Sequence, residues 1–388
     1  MSDVKNIPEG WVETTLGKNL KEIAMGPFGS NLKVDMFTKN GVPVIKGGNL
    51  LESFVGGDFS FVSEEKATSL GKAIAYPDDL IITHRGTLGQ VSLVPKNKFE
   101  RYVTSQSQLR LSVNPKKLNH SYLLYFFKSR LGQYELLKNA SQVGVPAISS
   151  PTKSVKEIDI TIPSSIKEQE AIVSVLTAFD NKIELLQAQN KSLEETVQTI
   201  FKEWFGKYKI DDELPAGWRV GNLGEIAEIS SGKRPKDLRN NKTESHKIPL
   251  IGASKIMGYV ENYLYKDNTL VIGRVGTHGE IQRFNEKIFP SDNTLVFKSE
   301  NSIFVYQILK IIDFEKINRG AVQPLITQTD MKNYPIIIPI ESLQEEFKYV
   351  TNSVFDKIDN NNYQIQALTK TRDELLPRLM SGEIRVKM

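Results

Sequence analysis

The chain has 388 residues, 39% apolar and 25% charged, a composition typical of a folded protein with more than one domain. It contains no cysteine, which excludes a disulfide framework, a thiolate zinc site and a cysteine nucleophile. No apolar run reaches the ~18 residues of a membrane span, and residues 1–10 are too polar for a signal peptide, so we expect a cytoplasmic protein without membrane contact.

The formal net charge of +4 is distributed unevenly along the chain. Residues 1–165 carry +5 and residues 209–340 carry +2, whereas residues 166–208 carry −2 and residues 341–388 carry −1. Two long basic segments therefore alternate with two short acidic ones. This alternation indicates an internal repeat, which would decide the architecture of the whole chain.

Five sequence blocks occur twice in the same order, with shifts in residue number that fall from 207 to 175. The first copies begin at Pro8, Val42, Leu80, Ile158 and Gln169, and the second copies begin at Pro215, Ile248, Leu270, Tyr334 and Gln344. Chance supplies one short match of this kind but not five collinear ones. The chain is therefore predicted to be a tandem duplication with a shorter second copy.

Each copy begins with a globular part made of short apolar runs separated by glycine and proline. The runs at 80–83, 91–94, 109–113 and 158–162 predict strands in the first copy, and those at 270–273 and 295–297 predict strands in the second. Helical patterns lie between them at 121–137 and 302–312. We therefore predict a mixed α+β fold for each globular part.

Each copy ends in a long helix whose apolar residues are spaced alternately four and three residues apart. The predicted seam positions are Ile172, Leu176, Phe179, Ile183, Leu186, Asn190, Leu193, Val197, Ile200 and Trp204 in the first helix and Phe347, Thr351, Val354, Ile358, Asn361, Ile365, Leu368, Arg372, Leu375 and Leu379 in the second. Such a seam predicts a coiled coil, and the partner that we expect for each helix is the other one.

The asparagine in each seam sets the direction of this pairing. If Asn190 faces Asn361 in an antiparallel pair, the numbers of facing residues add to 551 throughout. Apolar residues then meet in the neighbouring layers, which are Ile183 with Leu368, Leu186 with Ile365, and Leu193 with Ile358. A buried asparagine pair fixes register and orientation. The sequence thus predicts two globular parts separated by an antiparallel coiled coil with pseudo-two-fold symmetry.

The helices also set a distance between the globular parts. About 35 helical residues span roughly 50 Å. One turn of B-DNA measures about 34–36 Å, so two modules on such a spacer would reach successive faces of the major groove. A generic dimerisation or scaffold rod is the alternative interpretation of the same helices.

Five loops carry polar and basic residues at matching places in both copies: residues 26–33, 46–49, 83–87, 105–108 and 142–149, matched by 231–236, 252–255, 273–277, 291–294 and 323–328. These residue types read base edges in the major groove and contact phosphate. The candidate DNA-binding residues are Ser30, Asn31, Lys33, Lys46, Asn49, Arg85, Thr87, Gln106 and Ser107 in the first copy and Lys233, Arg234, Lys236, Lys255, Arg274, Thr277 and Asn293 in the second. Any single loop is also explained as a solvated turn, but five in each copy favour a surface used twice.

Motifs of catalysis are missing from the sequence. It contains no phosphate-binding G-x-x-x-x-G-K-[ST] loop, and its four histidines have no metal-ligand spacing. The segment Asn114-Pro115-Lys116 does not match the motif with which amino-methyltransferases hold a flipped adenine. Residues 77–79 contain two aspartates, which a turn before a strand explains better than a nuclease site. We therefore expect a chain without catalysis, metal or cofactor of its own.

Several blocks together resemble the specificity subunit of a type I restriction-modification enzyme, over essentially the whole chain. These blocks are 214–218 with its earlier copy, 85–89, 163–170, 200–205 and 375–384. Each block is weak alone, and the order and spacing of all five carry the resemblance.

The resemblance implies that residues 1–165 and 209–340 are target-recognition domains, each reading one half of a bipartite, asymmetric site in double-stranded DNA. Residues 166–208 and the segment 341–388 would then be the spacer helices. In this family the helices dock two methyltransferase subunits, and two restriction subunits that translocate DNA can join. S-adenosylmethionine, ATP and Mg²⁺ would be bound by those partners.

Two alternatives remain from the sequence. The chain is also explained as a non-catalytic coiled-coil scaffold that binds only proteins. A nuclease or methyltransferase fused to its own recognition domains is a third interpretation, which the missing motifs oppose.

Overall fold

A computed structural model describes residues 7–50, 53–141, 144–275, 279–317 and 325–387. The chain divides into two compact units. Unit 1 comprises residues 1–184 and 366–388, and unit 2 comprises residues 185–365. Each unit therefore contains one globular part together with a stretch of both long helices, whereas the boundaries predicted from the sequence keep each helix whole.

Unit 1 contains mostly short strands. They are β1 (Trp11–Thr15), β2 (Leu20–Met25), β3 (Val42–Ile45), β4 (Ser60–Val62), β5 (Ile74–Ala75), β6 (Leu80–Thr83), β7 (Val91–Leu93), β8 (Tyr102–Thr104), β9 (Gln108–Val113), β10 (Ala140–Ser141), β11 (Ala147–Ile148) and β12 (Asp159–Pro163). The helices are α1 (Glu64–Ser69), α2 (His120–Lys128), α3 (Arg130–Leu137), α4 (Pro151–Lys156) and the long helix α5 (Ile166–Phe205), which continues into unit 2. The strands form four sheets, in the orders β1-β12, β2-β9-β6-β7, β4-β3-β8-β5 and β10-β11.

Unit 2 repeats this architecture with fewer elements. Its strands are β13 (Arg219–Asn222), β14 (Glu228–Ser231), β15 (Ile248–Ile251), β16 (Ile256–Val260), β17 (Thr269–Gly273), β18 (Ile281–Phe284), β19 (Phe289–Pro290), β20 (Thr294–Lys298) and β21 (Pro335–Ile338). Its helices are α6 (Leu223–Ile226), α7 (Ser302–Ile311), α8 (Phe314–Ile317), α9 (Gln328–Lys332) and the long helix α10 (Glu341–Met380), which continues into unit 1.

The sheets of the two units correspond strand by strand. The orders β13-β21, β14-β20-β17-β18 and β16-β15-β19 repeat β1-β12, β2-β9-β6-β7 and β4-β3-β8. In both units, one pair is parallel: Val44 on β3 pairs with Val103, and Leu250 on β15 pairs with Phe289. The mixed α+β fold and the duplication predicted from the sequence are therefore confirmed. Unit 1 has the additional elements α1 and β5 between these strands, where the shift between the repeats falls from 206 to 190.

One interior strand of a four-stranded sheet is buried on both faces in each unit: β6 in unit 1 and β17 in unit 2. In unit 1, Leu80 and Ile82 of β6 pack into the cluster that contains α2, while Ile81 points into a second cluster with Ile45 and Tyr102. In unit 2, the alternating residues of β17 divide in the same way between two clusters. Burial of both faces explains why these strands are continuous apolar runs rather than alternating ones.

The helical pattern at 121–137 forms two helices, where the sequence predicts one. The chain is extended at Ser129, which has φ −71° and ψ 156°. The Ser129 Oγ atom donates to the Phe126 carbonyl at 2.6 Å and accepts a hydrogen bond from the Gly132 amide at 3.1 Å, so it ends α2 and caps α3. Any side chain at residue 132 would overlap the Phe126 carbonyl, since a Cβ atom there would lie 1.9 Å from its oxygen.

All predicted seam positions of the long helices are buried or half-buried. In unit 2, Asn361 donates from Nδ2 to Oδ1 of Asn190 at 2.8 Å, the pair on which the predicted register rests. In unit 1, Arg372 forms a salt bridge of 2.7 Å with Asp180. The residue numbers of these two pairs add to 551 and 552, compared with 551 in the register predicted from the sequence. No helix within the described residues is both long and apolar enough to cross a membrane.

Each globular part is attached to the long helices by a tyrosine of its own helix. Tyr125 on α2 donates its hydroxyl to Asp180 Oδ2 at 2.7 Å, and Tyr306 on α7 donates to Glu194 at 3.3 Å. Lys310 adds a bond of 2.8 Å to Glu194 in unit 2. Desolvation of the hydroxyl raises the pKa of both tyrosines above the ordinary value, so they remain neutral donors.

Replacing Asp180 with alanine is expected to destabilise unit 1 by about 3 kcal/mol, because the Tyr125 hydroxyl and the Arg372 guanidinium would lose a shared acceptor in a half-buried site. Urea unfolding of the full chain measures the loss. The matched control is Glu184→Ala, since this exposed carboxylate lies one turn further along the same helix. Equal effects of the two substitutions would contradict the anchoring role of Asp180.

Candidate nucleic-acid interface

The five predicted loops of unit 1 lie together and are joined by main-chain hydrogen bonds. The Gly26 amide donates to the Gln108 carbonyl at 2.9 Å, and the His84 amide donates to Ser107 at 2.9 Å. The Ser105 amide donates to Ile45 at 3.0 Å, next to the 46–49 loop. The described part of the 142–149 loop joins through Ile148, whose amide donates to the His84 carbonyl at 2.9 Å. We call these loops the five-loop edge of unit 1.

Unit 2 has the same network at equivalent positions. The Gly232 amide donates to Thr294 at 3.1 Å, Arg274 to Asn293 at 3.0 Å, and Ile326 to Arg274 at 3.0 Å. The Ser291 amide donates to the Ile251 carbonyl at 2.9 Å. These loops, within the described residues 231–236, 252–255, 273–275, 291–294 and 325–328, form the five-loop edge of unit 2. The shared network means that each edge has nearly the same backbone framework.

A glycine allows the closest approach in each edge. A Cβ atom at Gly26 would lie 1.8 Å from the Ser105 carbonyl oxygen, and one at Gly232 would lie 2.1 Å from the Ser291 carbonyl oxygen. Real Cβ atoms do not approach oxygen so closely, so each loop can pack in this way only because glycine lacks a side chain. The two glycines are therefore structural equivalents that fix the first loop against the fourth.

Most of the candidate side chains are exposed on these edges. In unit 1 the exposed candidates are Asn31, Lys33, Arg85, Thr87 and Gln106, and in unit 2 they are Lys233, Arg234, Lys236, Lys255 and Asn293. Ser107 and Arg274 are half-buried. Thr277 and the side chain of Ser30 lie outside the described residues. The exposed set combines guanidinium, ammonium and amide groups, which match the acceptors and donors of base edges and phosphates.

The side chains of two candidates, Asn49 and Lys46, form hydrogen bonds with their own loop or with residues close to it. Asn49 is only 4% exposed; its amide donates to the carbonyls of Gly56 and Asp58, and its Oδ1 atom accepts from the Lys46 amide at 2.9 Å. The Lys46 ammonium donates to Ser60 at 2.7 Å and lies 4.3 Å from the centre of the Phe37 ring. These two side chains therefore hold the loop in place.

Arg85 and Arg274, the candidate arginines of the third loop in each copy, do not occupy equivalent positions. Arg85 forms a β-bridge with Ala147, as Val275 does with Leu325, so Val275 is the structural counterpart of Arg85. The amide and carbonyl of Arg274 form the two main-chain hydrogen bonds that those of His84 form in unit 1, so Arg274 is the counterpart of His84. Burial lowers the pKa of His84, whose neutral ring donates from Nε2 to the Gln106 carbonyl at 3.2 Å. In Arg274 the Nε atom is enclosed and bonds to no atom of the described residues. The edges therefore place their arginines differently.

Sequence reasoning missed two glutamines that hold the second loop. Gln90 donates to the carbonyls of Gly47 and Leu50, both at 3.3 Å, and Gln282 donates to those of Gly252 and Ala253 at 2.9 and 3.0 Å. The duplication does not align these residues, since Gln282 corresponds to Ser92 in the strand pairing. An alignment of the two repeats therefore does not indicate that Gln90 and Gln282 have the same role.

Sequence reasoning also missed an exposed aromatic side chain. Phe28, within the first loop of unit 1, is 80% exposed. Apolar residues are usually assigned to the core, so its residue type alone did not indicate a place on a contact surface. Within the described residues, no group of three or more His, Asp and Glu side chains is positioned to share a metal ion. The exposed side chains of the edges offer hydrogen-bonding groups, charges and the Phe28 ring.

Comparison with known proteins gives a consistent result over the whole chain. The model of the type I restriction modification DNA specificity domain matches residues 8–195 and 215–370. The type I restriction enzyme MjaIX specificity subunit of Methanocaldococcus jannaschii is 27% identical over 433 residues, covering 100% of this chain and 96% of that protein. The HindI specificity subunit of Haemophilus influenzae is 22% identical and covers 94% of this chain and 99% of its own length.

A solved structure shares the fold. The crystal structure of a type I restriction-modification S subunit from M. genitalium superposes with a TM-score of 0.58 at 20% sequence identity, covering 98% of both chains.

Proposed function

The chain belongs to the type I restriction modification DNA specificity family, and from this we propose that it recognises a bipartite, asymmetric site in double-stranded DNA. Each five-loop edge would read one half of the site. The observation that carries this proposal is the same main-chain network in both units, bearing different exposed side chains. A shared framework suits the same ligand, and different side chains predict two different half-sites.

We further propose that α5 and α10 pair along their length as an antiparallel coiled coil that spaces the two edges. The contacts Asn190–Asn361 in unit 2 and Asp180–Arg372 in unit 1 support this, because both agree with a single antiparallel register. The seam residue Thr351 is buried and satisfies its hydroxyl by donating to the Phe347 carbonyl at 2.8 Å. Thr351 therefore needs no partner from the other helix for its hydroxyl group.

The chemistry of methylation and cleavage is assigned to partners in this proposal. We infer that the helices dock two methyltransferase subunits and that two restriction subunits join them, with S-adenosylmethionine, ATP and Mg²⁺ bound on the partners. The specificity subunits that this chain resembles are named as parts of type I restriction enzymes. A net charge of only +4 supports a need for partners, since they would supply further phosphate contacts. The isolated chain would accordingly bind DNA weakly.

Methylome sequencing of cells that carry this chain with a matching methyltransferase subunit tests the function. The expected result is methylated adenine in a motif of two specified halves separated by unspecified bases. The alternative, a scaffold that binds only proteins, predicts no sequence-specific methylation that depends on this chain. A motif with a single uninterrupted half would contradict the assignment of one half to each unit.

Replacing Arg85 with alanine is expected to weaken binding about 10- to 100-fold through one half-site alone, the usual range for an arginine that contacts a base. Competition between DNA duplexes altered in either half measures this: the variant should no longer distinguish changes at its contact in the first half, and it should keep full discrimination in the second. Arg130→Ala is the matched control, because Arg130 is also exposed in unit 1 but lies at the start of α3. Equal losses in both halves would contradict the contact.

A further inference from the structure

The first loop of each edge carries an exposed side chain two residues after its closely packed glycine. Gly26 and Gly232 make the same main-chain bond and the same close approach in their units. Two residues after each glycine the chain carries Phe28 in unit 1 and Arg234 in unit 2. Both side chains are exposed. At the same distance along the chain from this glycine, one copy therefore carries an exposed aromatic ring and the other an exposed guanidinium.

The backbone around Phe28 is held in place although its ring is exposed. Gly26 is bonded to Gln108, and the Phe28 carbonyl accepts from the Asn31 amide at 2.8 Å in a turn of 3-10 helix, Gly29–Asn31. Leu32 then packs against a buried cluster with Val44 and Val103. The loop is thus anchored on both sides of Phe28, and the exposure of the ring is a feature of an ordered loop.

The neighbours of Phe28 are polar groups suited to DNA. Asn31 and Lys33 of the same loop are exposed, and Gln106 of the fourth loop approaches Gly29 so closely that a Cβ atom there would lie 2.5 Å from Oε1. The Phe28 ring is exposed and is therefore available for contact with an apolar group of a ligand. Among such neighbours, the fitting ligand is one with polar edges and an apolar patch, and the major-groove edge of a thymine–adenine pair has both.

We propose that this position reads one base pair in each half-site: Phe28 packs on the C5 methyl group of a thymine, and Arg234 donates to the O6 and N7 atoms of a guanine. The proposal rests on the proposed function, since it names the bases that two residues of the edges recognise. Aromatic contact with a thymine methyl and bidentate contact of arginine with guanine are the pairings that the chemistry of the major groove favours. The two half-sites then differ at equivalent positions because Phe28 and Arg234 differ.

Exchange of the two side chains tests the proposal. Full-length wild-type chain, Phe28→Arg and Arg234→Phe are each used to select duplexes from a randomised DNA library together with the methyltransferase subunit. Phe28→Arg is expected to change one thymine of one half-site to guanine, and Arg234→Phe to change one guanine of the other half-site to thymine. All remaining specified bases should stay the same.

A control variant separates base reading from added charge. Val34→Arg adds the same cation on an exposed residue a short distance along the same segment, where the wild-type side chain is 83% exposed. It is expected to tighten binding to all duplexes without changing any selected base. If Val34→Arg shifted the selected base as Phe28→Arg does, or if Phe28→Arg tightened binding without changing a base, the assignment of Phe28 would be overturned.

A second measurement removes only the methyl group. Replacing the selected thymine with uracil is expected to weaken wild-type binding about four-fold, the equivalent of one buried methyl group. The Phe28→Ala variant should bind the thymine and uracil duplexes equally. A four-fold difference that persists in Phe28→Ala would overturn the contact. Failure of the proposed function is distinguishable, because the wild-type chain would then select no sequence from the library.

Discussion

Replacing Gly26 with alanine is expected to remove recognition of one half-site, with a loss in affinity of about 100-fold or more and little effect on the other half. The new Cβ atom would lie 1.8 Å from the Ser105 carbonyl oxygen, which belongs to the backbone and has no flexible end to move away. The first loop must therefore separate from the fourth, and the Gly26–Gln108 bond is lost with it. Overpacking of this kind also costs about 1–3 kcal/mol of stability.

Binding to duplexes altered in one half at a time measures this effect, and circular dichroism with urea unfolding separates it from loss of the fold. Gly48→Ala is the matched control, since a Cβ atom at Gly48 meets no atom within 4 Å and the residue lies in a neighbouring loop of the same edge. Gly232→Ala should produce the converse loss, in the second half-site only. If Gly26→Ala and Gly48→Ala had the same affinity, the close approach would not be needed for recognition.

Removal of one heptad from both long helices is expected to shorten the recognised site by about three base pairs between its halves. Residues 183–189 and 362–368 face each other in the proposed register, and their deletion leaves both seams in the four-three spacing. Seven helical residues span roughly 10 Å, and base pairs are stacked about 3.4 Å apart. The deletion keeps Asn190, Asn361, Asp180 and Arg372, so the contacts that support the register remain available.

Selection from duplexes with different spacer lengths measures the result for this prediction. Duplicating the same two heptads should lengthen the preferred spacing by about three base pairs, which gives a test of opposite sign. Deleting residues 183–189 alone should instead put the two seams out of register and lower both stability and binding. An unchanged preferred spacing in the double deletion would show that the helices do not set the distance between the half-sites.

The architecture was predictable from the sequence to the extent that it depends on repetition and periodicity. Buried strands such as Leu80–Thr83 are continuous apolar runs, and the pairing of strands in unit 2 repeats that in unit 1. The break at Ser129 was not predicted, because α2 and α3 together keep an apolar pattern that one longer helix would also have. There the local hydrogen bonds of a serine side chain decide the conformation, and hydrophobic periodicity carries no information about them.

The candidate site was predictable in place but not residue by residue. The sequence identified which loops carry polar groups, and the structure brings these loops together in each unit. It did not indicate that the side chains of Asn49 and Lys46 form hydrogen bonds that hold their own loop. A polar residue type is compatible both with such bonds and with contact to DNA. The repeat alignment does set Arg85 opposite Val275, and the β-bridges Arg85–Ala147 and Val275–Leu325 agree with it. The exposure of a side chain is a property of the fold, and local sequence does not contain it.

The main-chain hydrogen bonds between the loops have a consequence for how the sequence of such a protein can change by mutation. The bonds that connect the first, third, fourth and fifth loops run between main-chain amides and carbonyls, as from Gly26 to Gln108 and from His84 to Ser107. Every residue except proline supplies both groups whatever its side chain. Substitutions on the outer surface of an edge therefore leave its support intact. The exposed side chains of an edge can therefore change by single mutations at little cost to the stability of its backbone framework.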